Sequence, residues 1–113
     1  MKTIDIGGKE RPFRFSLYAI QAYCEMKKIS FTEFATKANE IITGKDIDGL
    51  IDVLYAGLMG GANREKLPCD FTREQVGDWV DDAGFQAIPV IIKAFTESIM
   101  DKKKETAPPK AKK

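Results

Sequence analysis

The sequence predicts a mainly α, α+β fold: a short N-terminal β-hairpin, a bundle of about five helices, and a disordered basic C-terminal tail. Three observations carry that expectation. Lys2–Ile6 and Lys9–Phe15 alternate apolar and polar residues on either side of Gly7-Gly8. From Ser16 onward apolar residues recur at helical spacing, and two capping boxes, Ser30-Phe31-Thr32-Glu33 and Thr72-Arg73-Glu74-Gln75, mark helix starts. After Lys102 no large apolar residue follows, only five Lys, Pro108-Pro109 and small or polar residues, so residues 103–113 can bury nothing. A chain of 113 residues suits one core. We therefore expect a single globular domain over 1–102, with the hairpin at 2–15, the helical bundle at 16–102 and the tail at 103–113.

The hairpin comes first. Ile4 and Ile6 share one face of the first strand, Phe13 and Phe15 one face of the second. Gly7-Gly8 suits a two-residue turn with positive φ. Pro12 has no N–H, so the second strand is expected at an edge. An isolated hairpin is only marginally stable, and its Ile/Phe face is expected to lie on the helices.

Ser16 is a candidate N-cap for a first helix to about Lys28, with Leu17, Ile20, Tyr23, Cys24 and Met26 as its apolar positions. Ser30 opens a second helix, whose apolar face runs through Phe31, Phe34, Ala35, Ala38, Ile41 and Ile42 and which ends at Gly44. The central helix is Asp46–Gly61, DIDGLIDVLYAGLMGG. Ile47, Leu50, Ile51, Leu54 and Leu58 form its stripe, and Val53, Tyr55 and Met59 widen it, so it is expected to have neighbours on several sides. Asp48, Asp52 and Gly49 are its water-facing positions, and Gly60-Gly61 is its expected stop. A polar loop follows over Ala62–Asp70. Thr72 then opens a helix to about Ala83 with Val76, Trp79, Val80 and Ala83 as its apolar members, and Trp79 is expected to be largely buried. The last helix spans about Gln86–Lys102, with Pro89 in its first turn and Ile88, Ile91, Ile92, Phe95 and Ile99 as its stripe.

Composition narrows the function. The chain has no histidine, which removes the commonest general base and metal ligand. Cys24 falls in an apolar helical pattern and Cys69 in a loop. Their separation fits no metal spacing, and neither context is electropositive as a nucleophile requires. Asp78, Asp81 and Asp82 read as the solvated face of a helix, and Gly7-Gly8-Lys9 leads into a strand rather than into the helix of a phosphate loop. No catalytic, cofactor-binding or metal-ligating residue is nominated. Residues 102–113 hold six Lys and one Glu, a net +5, and the remaining residues hold 12 basic and 16 acidic groups, a net −4. An acidic body argues against nucleic-acid binding, whose affinity comes largely from neutralised phosphates. No apolar run approaches the roughly 20 residues of a membrane span, and no signal peptide opens the chain, so a cytoplasmic protein is expected.

Three segments carry a family resemblance: Ile4-Asp5-Ile6-Gly7-Gly8-Lys9-Glu10-Arg11-Pro12 with the helix start Phe15-Ser16-Leu17-Tyr18-Ala19-Ile20, then Ile51–Gly60 (IDVLYAGLMG), then Phe71–Asp82 (FTREQVGDWVDD). Together with the order of elements, they resemble the tail assembly chaperones of long-tailed bacteriophages and prophages over roughly residues 2–100. The resemblance implies a small non-enzymatic protein that binds the tape measure protein, keeps it soluble and helps recruit tail tube protein around it. It implies action in the host cytoplasm and absence from the finished virion. It leaves self-association open. On this reading the partner surface is apolar, and Tyr55 and Met59, at the outer margin of the wide central helix, are its candidate partner-binding residues. The alternatives are a structural head–tail or tail component of a phage and a small nucleic-acid-binding helical module.

Overall fold

In a computed structural model, the structure describes residues 2–106, with side chains described for 3–99. Among the described residues are two strands, β1 (Lys2–Ile6) and β2 (Lys9–Phe13), and five helices, α1 (Leu17–Lys27), α2 (Phe31–Ile42), α3 (Ile47–Glu65), α4 (Arg73–Ala83) and α5 (Ala87–Thr106). The expected hairpin-then-helices order is therefore what the chain adopts. The tail was expected from residue 103, but α5 continues to Thr106, and residues 107–113 lie outside the described residues.

Gly7 (φ 66°) and Gly8 (φ 85°) close the hairpin with positive φ at both turn positions. Ile6 pairs with Lys9 and Thr3 with Pro12. In a two-residue hairpin the hydrogen-bonded pairs alternate from the closing pair, so Thr3–Pro12 is a non-bonded pair and the missing N–H of Pro12 breaks no ladder bond. Ile4, Ile6, Phe13 and Phe15 are all buried, placing the apolar face on the helices as expected.

The core forms around α3. Phe15 stacks on Phe34 of α2 at 5.6 Å and meets Phe95 of α5 edge-on at 4.9 Å. Tyr23 of α1 closes on Phe34 edge-on at 5.4 Å. The chain just past β2 is tied in by two backbone N–H groups: Arg14 N–H donates to the Gly57 carbonyl at 3.0 Å, and Phe15 N–H donates to the Ser98 side-chain Oγ at 2.8 Å. Both capping boxes form, each with the N-cap hydroxyl accepting from the third backbone N–H and the third side chain accepting from the N-cap N–H.

Several expectations are corrected. Gly60-Gly61 does not end α3: the helix runs on to Glu65, absorbing the first residues of the expected loop, and closes at Lys66 in the left-handed conformation, where Leu67 N–H reaches the Ala62 carbonyl at 2.8 Å. The glycines instead admit β2. A Cβ on Gly57 would fall 2.1 Å from Phe13 Cε2, one on Gly60 2.3 Å from the Arg14 carbonyl oxygen, and one on Gly61 2.1 Å from the Pro12 carbonyl oxygen.

Asp52 does not face water. It is 4% exposed, accepts from Lys27 Nζ at 2.8 Å and from Arg73 Nε, and so links α1, α3 and α4. The buried charge is tolerated because two cations and their hydrogen bonds replace its hydration. On α1 the expected Tyr23 is buried and Ile20, Cys24 and Met26 pack partly buried against the core, but Leu17 is exposed and Ala19 takes the inner position instead. Phe31, Ala35 and Ile42 likewise lie on the exposed side of α2, leaving Phe34 and Ile41 inside.

Trp79 has most of its surface covered and packs against the core, as expected, but its ring lies against Gly7 of the hairpin turn and Phe71 rather than between the helices. The Arg11 guanidinium lies 4.4 Å above it and 5.5 Å from the Phe71 ring. Arg11 is itself 8% exposed, donating to the Ile6 carbonyl at 3.0 Å and to Asp70 Oδ1 at 3.1 Å. That bond, first among its causes, holds the Asp70 carboxyl below its ordinary range.

Candidate functional site

Most of α3 is buried, and one stripe of it is less so. Ile47, Ile51, Tyr55 and Met59 recur every four residues; Ile47 is exposed and the other three are half-buried. Toward the N-terminal end of this stripe α4 and α5 diverge from α3 and leave an open groove of about 390 Å³. Ile47 and Ile51 form one wall, Val80 and Ile88 the other, and Asp81 stands on the rim. Gly77 contributes no side chain to the floor, which stays open between Ile51 and Arg73.

The corner between α4 and α5 shapes the mouth. Gly84 takes φ 84° in open space, a conformation that favours glycine, and so lets the chain leave α4 abruptly. The next residue, Phe85, is thereby held outside both helices with 91% of its surface exposed. A phenyl ring so exposed beside an apolar groove is an unspent contact surface rather than a scattered surface residue. Its volume lies within the range of clefts that admit ligands or inserted side chains, about 300–1,000 Å³.

Tyr55 and Met59 do not line this groove. Both pack against the core, and Tyr55 meets Phe71 edge-on at 5.9 Å. Burial, and after it the neighbouring Cys69 and Tyr18, push the Tyr55 phenol above its ordinary value. They continue the same α3 stripe as Ile47 and Ile51, but Phe71 covers part of it there. Phe85 was missing from the sequence reading because it belongs to neither apolar stripe. A large aromatic directly after a helix-ending glycine was the signal available.

The groove is lined by apolar side chains, with the Asp81 carboxylate on its rim. Cys24 is half-buried, and burial, then Glu33, raise its thiol, opposite to the activation of a nucleophile. Among the described residues no group of His, Cys, Asp and Glu could hold a metal ion, and no helix is long and apolar enough to cross a membrane. No protein-family model, curated protein or solved structure matches this chain.

Proposed function

We propose that this chain is a tail assembly chaperone of a long-tailed bacteriophage or prophage, holding the helical tape measure protein soluble while tail tube protein is recruited around it. The observation that carries this reading is the open apolar groove with Phe85 at its mouth. A helical client exposes apolar side chains at successive turns, and such a stripe is received by a groove between helices. Phe85 supplies a further apolar contact outside the groove, and Asp81 sets a polar rim. Holding of this kind needs no titrating group and no cofactor. Ile51 of IDVLYAGLMG and Gly77, Val80 and Asp81 of FTREQVGDWVDD, the segments that resemble the family, line the same groove. The chaperone acts in the host cytoplasm, before the tube closes, and is left out of the virion.

Co-expression tests it. The tape measure protein encoded beside this chain should sediment with the insoluble fraction when expressed alone and remain in the supernatant when this chain accompanies it. A client equally soluble in both cases contradicts the function. Recovery of this chain in purified virions by mass spectrometry would favour a structural tail component instead.

A further inference from the structure

The groove beside Phe85 is apolar inside and acidic along one side. Seven of its lining residues carry no charge, and the eighth is Asp81. Glu74 and Asp78 precede Asp81 by seven and three residues, on the same side of α4, and all three are exposed. Among the described residues, none of the three takes part in an ion pair.

The cation nearest the floor is already paired. Arg73 Nη1 lies 3.3 Å from the point that a Cβ on Gly77 would occupy, but its guanidinium bonds to the buried Asp52 and lies 3.8 Å from Asp48 Oδ1. Lys27 also binds Asp52, so these four charges balance. Lys45 precedes α3 and is not a lining residue. The carboxylates of α4 therefore face the groove without a compensating charge. We infer that the groove selects a cationic amphipathic helix, whose apolar stripe enters between Ile51 and Val80 and whose flanking Lys or Arg side chains meet Glu74, Asp78 and Asp81. The inference rests on the reading of this groove as the client site and names the client chemistry that it takes.

An apolar groove by itself accepts many apolar stripes, and charge on its rim is what tells them apart. A flank of Glu or Asp would place like charges against α4, whereas a flank of Lys or Arg is attracted to it. Spacing fits as well as sign. Glu74 to Asp81 spans roughly 10 Å, two helical turns, so cations repeating every three or four residues on a helix lying along α4 meet the carboxylates in step. Lys and Arg can also lay their apolar stems along the groove wall while their charged heads reach the rim. Phe85, 91% exposed at the mouth, covers the stripe from outside and is indifferent to the charge of the flank.

Fluorescence anisotropy with labelled synthetic peptides tests this on the full chain. The probes are helical peptides of about 20 residues: a Leu stripe flanked by Lys, the same stripe flanked by Glu, and the Lys composition with its stripe dispersed. The Lys-flanked peptide should bind at least about tenfold more tightly than either other peptide, and its advantage over the Glu-flanked peptide should shrink at high salt as exposed charges are screened. D78K/D81K, with circular dichroism checked, should reverse the Lys–Glu order. D5K/E10K makes the same change of charge on the hairpin, which meets α4 through Trp79 on the opposite side of that helix, and should leave the order intact. Phe85→Ala should weaken the Lys- and Glu-flanked peptides alike. Equal binding of these two peptides overturns the inference. So does equal binding of the dispersed peptide, which would mean plain charge attraction, or an order unchanged in D78K/D81K, which would place the preference elsewhere. A tape measure protein that this chain solubilises despite unselective peptide binding refutes the inference and leaves the proposed function standing.

Discussion

The carbonyl oxygen of Pro12 occupies the place a side chain on Gly61 would need: a Cβ there would sit 2.1 Å away. Strand β2 and helix α3 therefore touch backbone to backbone, and the contact extends through Gly57 and Gly60 on the same helix face. Gly61→Ala should force the hairpin off the helix at a cost of about 1–3 kcal/mol or more. Gly44→Ala is the control, because Gly44 has φ 79° and open space around it. It should cost about 1–2 kcal/mol from backbone conformation alone. Urea denaturation of both variants, with the hairpin followed by amide exchange, separates the causes: only Gly61→Ala should loosen β2.

Asp52 is the buried hub between Lys27 and Arg73. Asp52→Ala leaves two cations facing a partly desolvated gap and should lose about 3–5 kcal/mol. Replacing all three residues with apolar ones of similar volume should recover much of that loss, since removing a buried ion pair whole is far less costly than breaking it. Equal destabilisation of the single and triple variants would mean that the packing of Asp52, not its charge, matters.

Tyr23 couples the core to pH. Burial, followed by the Asp52 and Asp46 carboxylates, pushes its phenol up to about 12. An unfolded chain loses that proton near 10. The folded state thus retains the proton over this interval, and stability present below about pH 10 falls as pH rises toward about 12. Lys27 acts in the same sense, its ammonium raised by the hydrogen bond to Asp52. Among the described residues, the buried Tyr23 hydroxyl also has no hydrogen-bond partner. Tyr23→Phe should therefore flatten the alkaline decline and raise stability near neutral pH by about 1 kcal/mol. Denaturation curves from about pH 7 to about pH 11 decide it, and an unchanged alkaline slope would contradict the assignment.

Arg11 holds the hairpin turn to Trp79 and to the loop before α4 through its planar head. Arg11→Lys keeps the charge but loses the stacked plane and the forked donors, and should cost on the order of 1–3 kcal/mol. Asp70→Asn should cost much less, because that side chain is half-exposed. Trp79 fluorescence should shift in the Arg11 variant and remain nearly unchanged in the Asp70 variant.

The order of elements was legible because its signals are local: the Gly7-Gly8 turn, the capping serine and threonine, and the helical stripes of α3, α4 and α5. What was not legible depends on residues distant in sequence. Gly60-Gly61 taken alone resembles a helix stop, and only the approach of Pro12 and Arg14 reveals it as a contact surface. The spacing of Gly57, Gly60 and Gly61 on one helix face was the clue. Asp52 looked solvated because its partners lie 25 residues before it and 21 after. Tyr55 and Met59 stood at the margin of the central stripe, and the chain that returns through Phe71 to cover part of that margin cannot be placed by periodicity. Phe85 lay between two stripes and so belonged to neither.

In the proposed function a helical client seats at the groove beside Phe85. The most direct measurement is the affinity of the full chain for the tape measure protein, compared with Phe85→Asp and with Tyr55→Asp/Met59→Asp, circular dichroism being recorded for each. Phe85 is exposed, so Phe85→Asp should stay folded and bind at least about tenfold more weakly, as expected of an aromatic anchor. The double variant buries charge against the core and should lose stability first. Undiminished client binding by a folded Phe85→Asp chain would contradict the claim.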